Sequence, residues 1–282
     1  MILTTIDQFR AAVPTVGADT EFTDLQPYCN SAELWIRNQV LGAGLYAYVD
    51  GLQNAAETDL SLLQLCLNVV ANHAYWDAIP FLDLVHTNSG FGVINNQNKA
   101  PASKERVERL REQCLIRRDN EVENLIVFLE QNTTYHDNWK GSPVYSVLTD
   151  CLIRTADELK RFSNWTGTRK DFLMLKPTMI RYTIAKLHPV FSKVLVEELI
   201  ESQRDNDLSA DERTLVEQLK YVLGSIVANE PHIATQVAGD ALRFIDENLA
   251  SFPIYTGSKE YAARIAADYV NDTESPIFSS LF

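Results

Sequence analysis

Catalysis needs nucleophiles, acid–base pairs or metal ligands at usable spacings, and this chain offers few. Its five histidines are His73, His86, His136, His188 and His232. None has a second histidine three or four residues on, as a helical zinc pair requires. No Glu-x-x-His pair suggests a di-iron bundle. The best polar cluster is Asn72-His73-Ala74-Tyr75-Trp76-Asp77. His73 and Asp77 stand one helical turn apart, which could make an acid–base pair but more often makes a satisfied, partly buried helix pair. His136-Asp137 lies among aromatic residues and reads as a turn. Cys29, Cys66, Cys114 and Cys151 are far apart in sequence, so no C-x-x-C zinc or redox motif exists. Three of them fall in apolar helical patterns and read as buried free thiols. Walker A, G-x-G-x-x-G, G-x-S-x-G and H-E-x-x-H runs are absent from the sequence. The expectation is a protein that is not an enzyme and uses no metal or cofactor.

What remains is charge and apolar contact. The 25 basic and 38 acidic residues leave a net charge of −13, which argues against a general DNA-binding surface. Within that acidic chain, Lys99–Arg118 carries seven basic and three acidic residues, a net +4. This reads as a surface for an acidic partner or a nucleic-acid backbone. It reads more readily as a solvated helix face tied by Lys104–Glu108 and Glu105–Arg109 pairs. Arg106, Arg109 and Arg111 are the candidate contact residues there. Phe91 joins them from the stretch Leu84–Ile94, whose β-formers around Ser89-Gly90 predict a hairpin or flap. The chain ends with Ile277, Phe278, Leu281 and Phe282, each worth about 1.5–3 kcal/mol when fully buried. That end either folds back on its own chain or docks on a neighbouring subunit or partner.

The elements that position these residues follow from length and self-comparison. A chain of 282 residues carries a prior of about two domains. No apolar run reaches the roughly 18 residues that span a bilayer, and Met1–Thr5 lacks the basic start of a secretory signal. Thr5–Arg10 lines up with Thr155–Lys160 at an offset of 150, and Phe22, Leu25 and Pro27 with Phe172, Leu175 and Pro177. Val70-Ala71-Asn72 meets Val227-Ala228-Asn229 at 157. Phe128–Asn132, Gly141-Ser142 and Tyr145 meet Phe244–Asn248, Gly257-Ser258 and Tyr261 at 116. A constant offset over residues of mixed chemistry predicts a tandem duplication.

The expected fold is therefore mainly α, two copies of a four-to-five-helix unit. The first copy spans 1–150 with an insertion at about 76–117, the second 151–270, and a tail 271–282 follows. Thr5-x-x-Gln8 and Thr155-x-x-Glu158 fit capping boxes. Pro27 and Pro177 are expected at or before helix starts, and Pro189 at a break. Leu60–Trp76 is apolar nearly all round, as in a central helix. Ser103 is the expected N-cap of a helix running to Gln131, with Asn132 and Asn248 as C-caps.

The runs Asn88–Val93 and Lys99–Ser103, the helix to Phe128-Leu129-Glu130-Gln131-Asn132, Ile2–Phe9 and the Tyr145-Val147-Leu148 region carry a resemblance. They look like a family of uncharacterised structural proteins of Bacteroides phages and prophages, over nearly the whole chain. The helical plan with a hairpin-bearing insertion is similar to phage head–tail connector (adaptor) proteins. That resemblance implies a virion structural protein made in the bacterial cytoplasm. Its implied partners are portal and neighbouring subunits, in a homo-oligomeric ring on assembly, with no membrane and no sequence-specific nucleic acid. A duplicated unit departs from the usual single-unit connector. The rival expectations are a helical adaptor that binds a cellular protein through the basic insertion helix, and an enzyme built on the His73–Asp77 face.

Overall fold

The computed structural model describes residues 1–54, 59–82, 84–87, 90–93 and 102–267, the two strands by their backbone alone. The described chain is mainly α. Its one sheet is an antiparallel ribbon of β1 (Leu84–Thr87) and β2 (Gly90–Val93), with Val85 opposite Gly92. Two compact units are present. Unit 1 holds Met1–Asp150 together with Thr155–Asp157 and Gly167–Phe172, and unit 2 holds Cys151–Arg154, Glu158–Thr166 and the chain from Leu173 on.

Unit 1 contains α1 (Ile6–Ala12), α2 (Phe22–Ile36), a π-turn (Arg37–Leu41), α3 (Gly42–Asp50), α4 (Leu60–Ala78), α5 (Lys104–Gln131), α6 (Thr133–Lys140) and α7 (Pro143–Leu148). The Thr5 capping box forms: Gln8 N donates to Thr5 Oγ1 at 3.3 Å and Thr5 N to Gln8 Oε1 at 3.2 Å. α4 is the central element. Leu62, Leu63, Cys66, Leu67, Val69, Val70 and Ala74 are all buried, which places apolar residues on nearly every face of the helix. α5 differs along its length. Val122, Leu125, Ile126 and Leu129 bury its second half, whereas Lys104, Glu105, Arg106, Glu108 and Arg109 are exposed in its first.

Unit 2 is built from α8 (Ala156–Phe162), α9 (Arg169–Tyr182), a second π-turn (Thr183–Leu187), α10 (His188–Phe191), α11 (Lys193–Asp205), α12 (Ala210–Val227), α13 (Pro231–Glu247), α14 (Pro253–Thr256) and α15 (Lys259–Ala267). The first residues of α8 and α9 are counted with unit 1. Gly224 on α12 lets α8 approach closely: a Cβ there would stand 2.2 Å from the Phe162 carbonyl oxygen.

The same local solutions recur in both units at the offsets read from sequence. At 150, Thr4 N donates to Gln8 Oε1 (3.0 Å) and Arg154 N to Glu158 Oε2 (2.7 Å). Gly42 (φ 74°) and Ser192 (φ 63°) both carry positive φ. At 116, Asn132 and Asn248 each turn their own amide back on the helix, to Phe128 O (2.7 Å) and Phe244 O (2.9 Å). Trp139 donates to Val40 O (2.7 Å) and Tyr255 to Val190 O (3.0 Å), an aromatic donor closing each unit on the residue two before the positive φ. The ring pairs Trp139–Tyr145 and Tyr255–Tyr261 are both edge-on, at 4.9 and 5.5 Å.

Three expectations change. Pro27 and Pro177 lie inside α2 and α9, because those helices already start at Phe22 and Arg169. The buried positions of α4 match those of α12 at an offset of 153, not 157: Leu62, Leu63, Cys66 and Val69 pair with Leu215, Val216, Leu219 and Val222. A helical face repeats each turn, so a match of a few residues slides by four without penalty. Pro189 sits in the first turn of α10, and the break follows it at Ser192. The insertion also resolves into parts. α5 is 28 residues against 17 in α13, and the surplus lies entirely at its N-terminal end, after the hairpin.

Candidate functional site

The candidate surface rests on the first half of α5. Ser103 takes the N-cap position, as its residue type suggests. Arg106 and Arg109 are exposed there. Lys104 and Glu108 form an i,i+4 pair at 3.6 Å, both largely in solvent, so the pair is worth little. Arg111 departs from the expected surface. Its guanidinium lies 4.9 Å from the Trp76 ring centroid and its Nε donates to Trp76 O at 3.3 Å. The arginine is used to anchor the insertion helix on α4, since a cation over an indole face gains both dispersion and quadrupole attraction.

Two turns further into the helix, Arg118 lies 4.7 Å over Trp35 and 5.9 Å from Trp76. Its Nε donates to Asp119 Oδ1 at 2.9 Å, and its Nη1 sits 3.3 Å from His73 Nδ1. His73 is buried between Trp35 (4.6 Å, tilted) and Trp76 (5.5 Å, edge-on). Burial first, and then the neighbouring Arg118 charge, pull its pKa down to about 4. The ring is therefore neutral near neutral pH, and Nδ1 accepts a hydrogen bond from the guanidinium Nη1–H. In place of an acid–base pair with Asp77, the geometry gives a cation–aromatic latch. Local sequence could not signal it, because Trp35, His73 and Arg118 come from three helices.

Other buried polar groups are hydrogen-bonded within unit 1. Glu33, buried, accepts from Leu3 N (3.0 Å) and Tyr46 Oη (2.6 Å). Glu123, buried, meets the buried Arg169 guanidinium and also accepts from Asp157 N at 3.4 Å. His136 lies in α6 rather than in a turn, buried with Nε2 2.9 Å from Tyr145 Oη. All four cysteines are free and buried. Burial pushes Cys29 up to about 12 and raises Cys66 and Cys114 as well, so these thiols stay protonated and unreactive. Among the described residues no group of three or more His, Cys, Asp or Glu side chains is placed to hold a metal ion. No described helix is long and apolar enough to cross a membrane. The Phe91 side chain and Ile277, Phe278, Leu281 and Phe282 lie outside what is described.

Residues 20–148 match a protein family of unknown function, DUF6712. That stretch runs from the start of α2 to the end of α7 and takes in the hairpin and the basic helix. No curated protein and no solved structure matches the chain.

Proposed function

We propose that the chain is a non-enzymatic structural protein of a phage or prophage particle, a subunit of the head–tail joint that works through protein–protein contacts. The observation that carries this reading is the added element of unit 1. A hairpin leads into a helix whose first half exposes Arg106 and Arg109 instead of burying them. An exposed basic helix on a chain of net charge −13 suits an acidic neighbour in an assembly. The recurrent bonds at offsets of 150 and 116 support a tandem repeat, so each subunit brings two similar bodies to the joint. The resemblance to connector proteins supplies the particle, the portal as a partner and a ring as the assembled form.

Mass spectrometry of particles purified from an induced culture tests it, with portal and major capsid peptides of the same phage as internal control. The chain is expected at a fixed ratio to portal; its absence while the controls are present rejects the reading. A second reading, a helical adaptor for a cellular protein, draws on the same exposed Arg106 and Arg109. It predicts one captured partner that is lost on charge reversal at both positions, in cells without particles.

A further inference from the structure

The two units treat one place differently. On α5, Val122, Glu123 and Ile126 are buried. Their counterparts on α13, at the offset of 116, are Ala238, Gly239 and Leu242, each half-buried. With Val190, Val222 and Ile226 they line an apolar groove of about 610 Å³ in unit 2, uncovered among the described residues. Unit 1 covers the corresponding place with chain that follows α7. Asp157 N and Arg169 both bond to Glu123, and Ala156 and Phe172 are buried.

At the same offset the counterpart of α7 is Lys259–Arg264 of α15, so by this plan the cover for unit 2 comes from the chain after α15, residues 268–282. That chain sets out from the edge of the groove. α15 packs on α10, and Val190 of the groove wall also lines a hollow with Ala263 and Arg264. Arg264 stands three residues, about 4.5 Å of helix, before Ala267. From Ala267 the ten residues to Ile277 reach up to about 33 Å, against about 12 Å along α13 from Ala234 to Leu242. Wall and segment also differ from unit 1 in a matched way. Gly239 stands where unit 1 has Glu123, and 268–282 holds no basic residue to answer a carboxylate. It holds instead Ile277, Phe278, Leu281 and Phe282, paired one helical turn apart in spacing, which suits an apolar wall. The charged residue on that wall is the exposed Lys186, and the charged residues of the segment, Asp268, Asp272 and Glu274, are all acidic.

We propose that residues 268–282 seat in the groove of their own unit 2, with the four apolar side chains against Val222, Ile226 and Leu242 and the acidic lead beside Lys186. The seat repeats what the chain after α7 does for α5, with apolar contact in place of the Glu123–Arg169 bond. A groove closed in this way offers neither the four apolar side chains nor its own wall to a second copy of the chain. The inference needs one copy of the chain and stands whether or not the protein belongs to a particle.

Photocrosslinking in the full chain tests it. Benzoylphenylalanine replaces Phe278 in one sample and Phe282 in another, and each is irradiated as an equal mixture of ordinary and heavy-nitrogen chains. Adducts are expected within one chain, on the tryptic peptide 221–243, which carries Val222, Ile226 and Ala234–Leu242. Ala238→Trp fills the groove and is expected to abolish them, with Thr235→Trp at the exposed rim as a second blocking variant. Circular dichroism melts establish that each blocked protein is folded. Adducts chiefly on another peptide, adducts that join ordinary to heavy-nitrogen chains, adducts that survive both blocks, or no adduct from either probe overturn the proposal.

Discussion

His73 makes the stability of unit 1 depend on pH in a way that can be worked out in advance. Its folded pKa is held at about 4 by burial and by Arg118, against about 6.5 in an unfolded chain. Between those values the unfolded chain binds a proton that the folded chain refuses, so stability rises with pH across that window and falls as the solution is acidified. Integrated from about pH 7.5 down to about pH 5, this group alone removes about 2 kcal/mol. Its ceiling below about pH 4 is about 3 kcal/mol. His73→Phe keeps a ring between Trp35 and Trp76 and leaves Arg118 its bond to Asp119. The substituted position cannot titrate. Urea denaturation followed by tryptophan fluorescence, at several pH values, reads the effect, because Trp35 and Trp76 flank the ring. The wild type should lose about 2 kcal/mol more than His73→Phe over that interval. Equal pH slopes for the two proteins would refute the account of His73 as a buried neutral acceptor.

Other predictions follow from packing. Gly224→Ala drives a methyl group into the Phe162 carbonyl and should cost about 2–4 kcal/mol in unit 2, seen as an early transition in a thermal melt. Gly239→Ala meets no described atom within 4 Å and should raise the stability of α13 by about 1 kcal/mol, measured by urea denaturation. Trp139→Phe strips Val40 O of its donor inside the core and should cost about 1–3 kcal/mol, read from urea midpoints. Arg111→Ala should destabilise by about 1 kcal/mol through lost stacking on Trp76, whereas Arg109→Ala should stay within about 0.5 kcal/mol in the same assay.

The parts of the fold that sequence reveals are those set by residues close together in the chain. The Thr5 capping box, the apolar circumference of α4, the Ser103 start of α5 and the Asn132 and Asn248 ends were all legible, because a cap or a periodic face is decided within a turn or two. The hairpin was legible from β-formers around a Ser-Gly turn. The starts of α2 and α9 were not, because proline was read as the opening residue when it is tolerated further in. The site was least legible. Nothing near Arg111 or Arg118 says that one leans on Trp76 and the other bridges Trp35 and His73, since those partners lie 35 to 83 residues away and meet only through helix packing. Charge counting therefore overstated the number of arginines available to a partner.

The bond between Glu123 and Arg169 has a consequence for synthesis. Glu123 is inside unit 1, but its counter-charge is encoded 46 residues later, beyond Asp150, where the unbroken stretch of that unit ends. A nascent chain growing at about 5–20 residues per second waits about 1–4 s between residues 150 and 169. During that pause burying the Glu123 carboxylate unpaired is costly. Closure of unit 1 around Glu123 is thus disfavoured until residue 169 has been made. A gene cut at codon 150 would encode α1 to α7 and still leave Glu123 without its counter-charge.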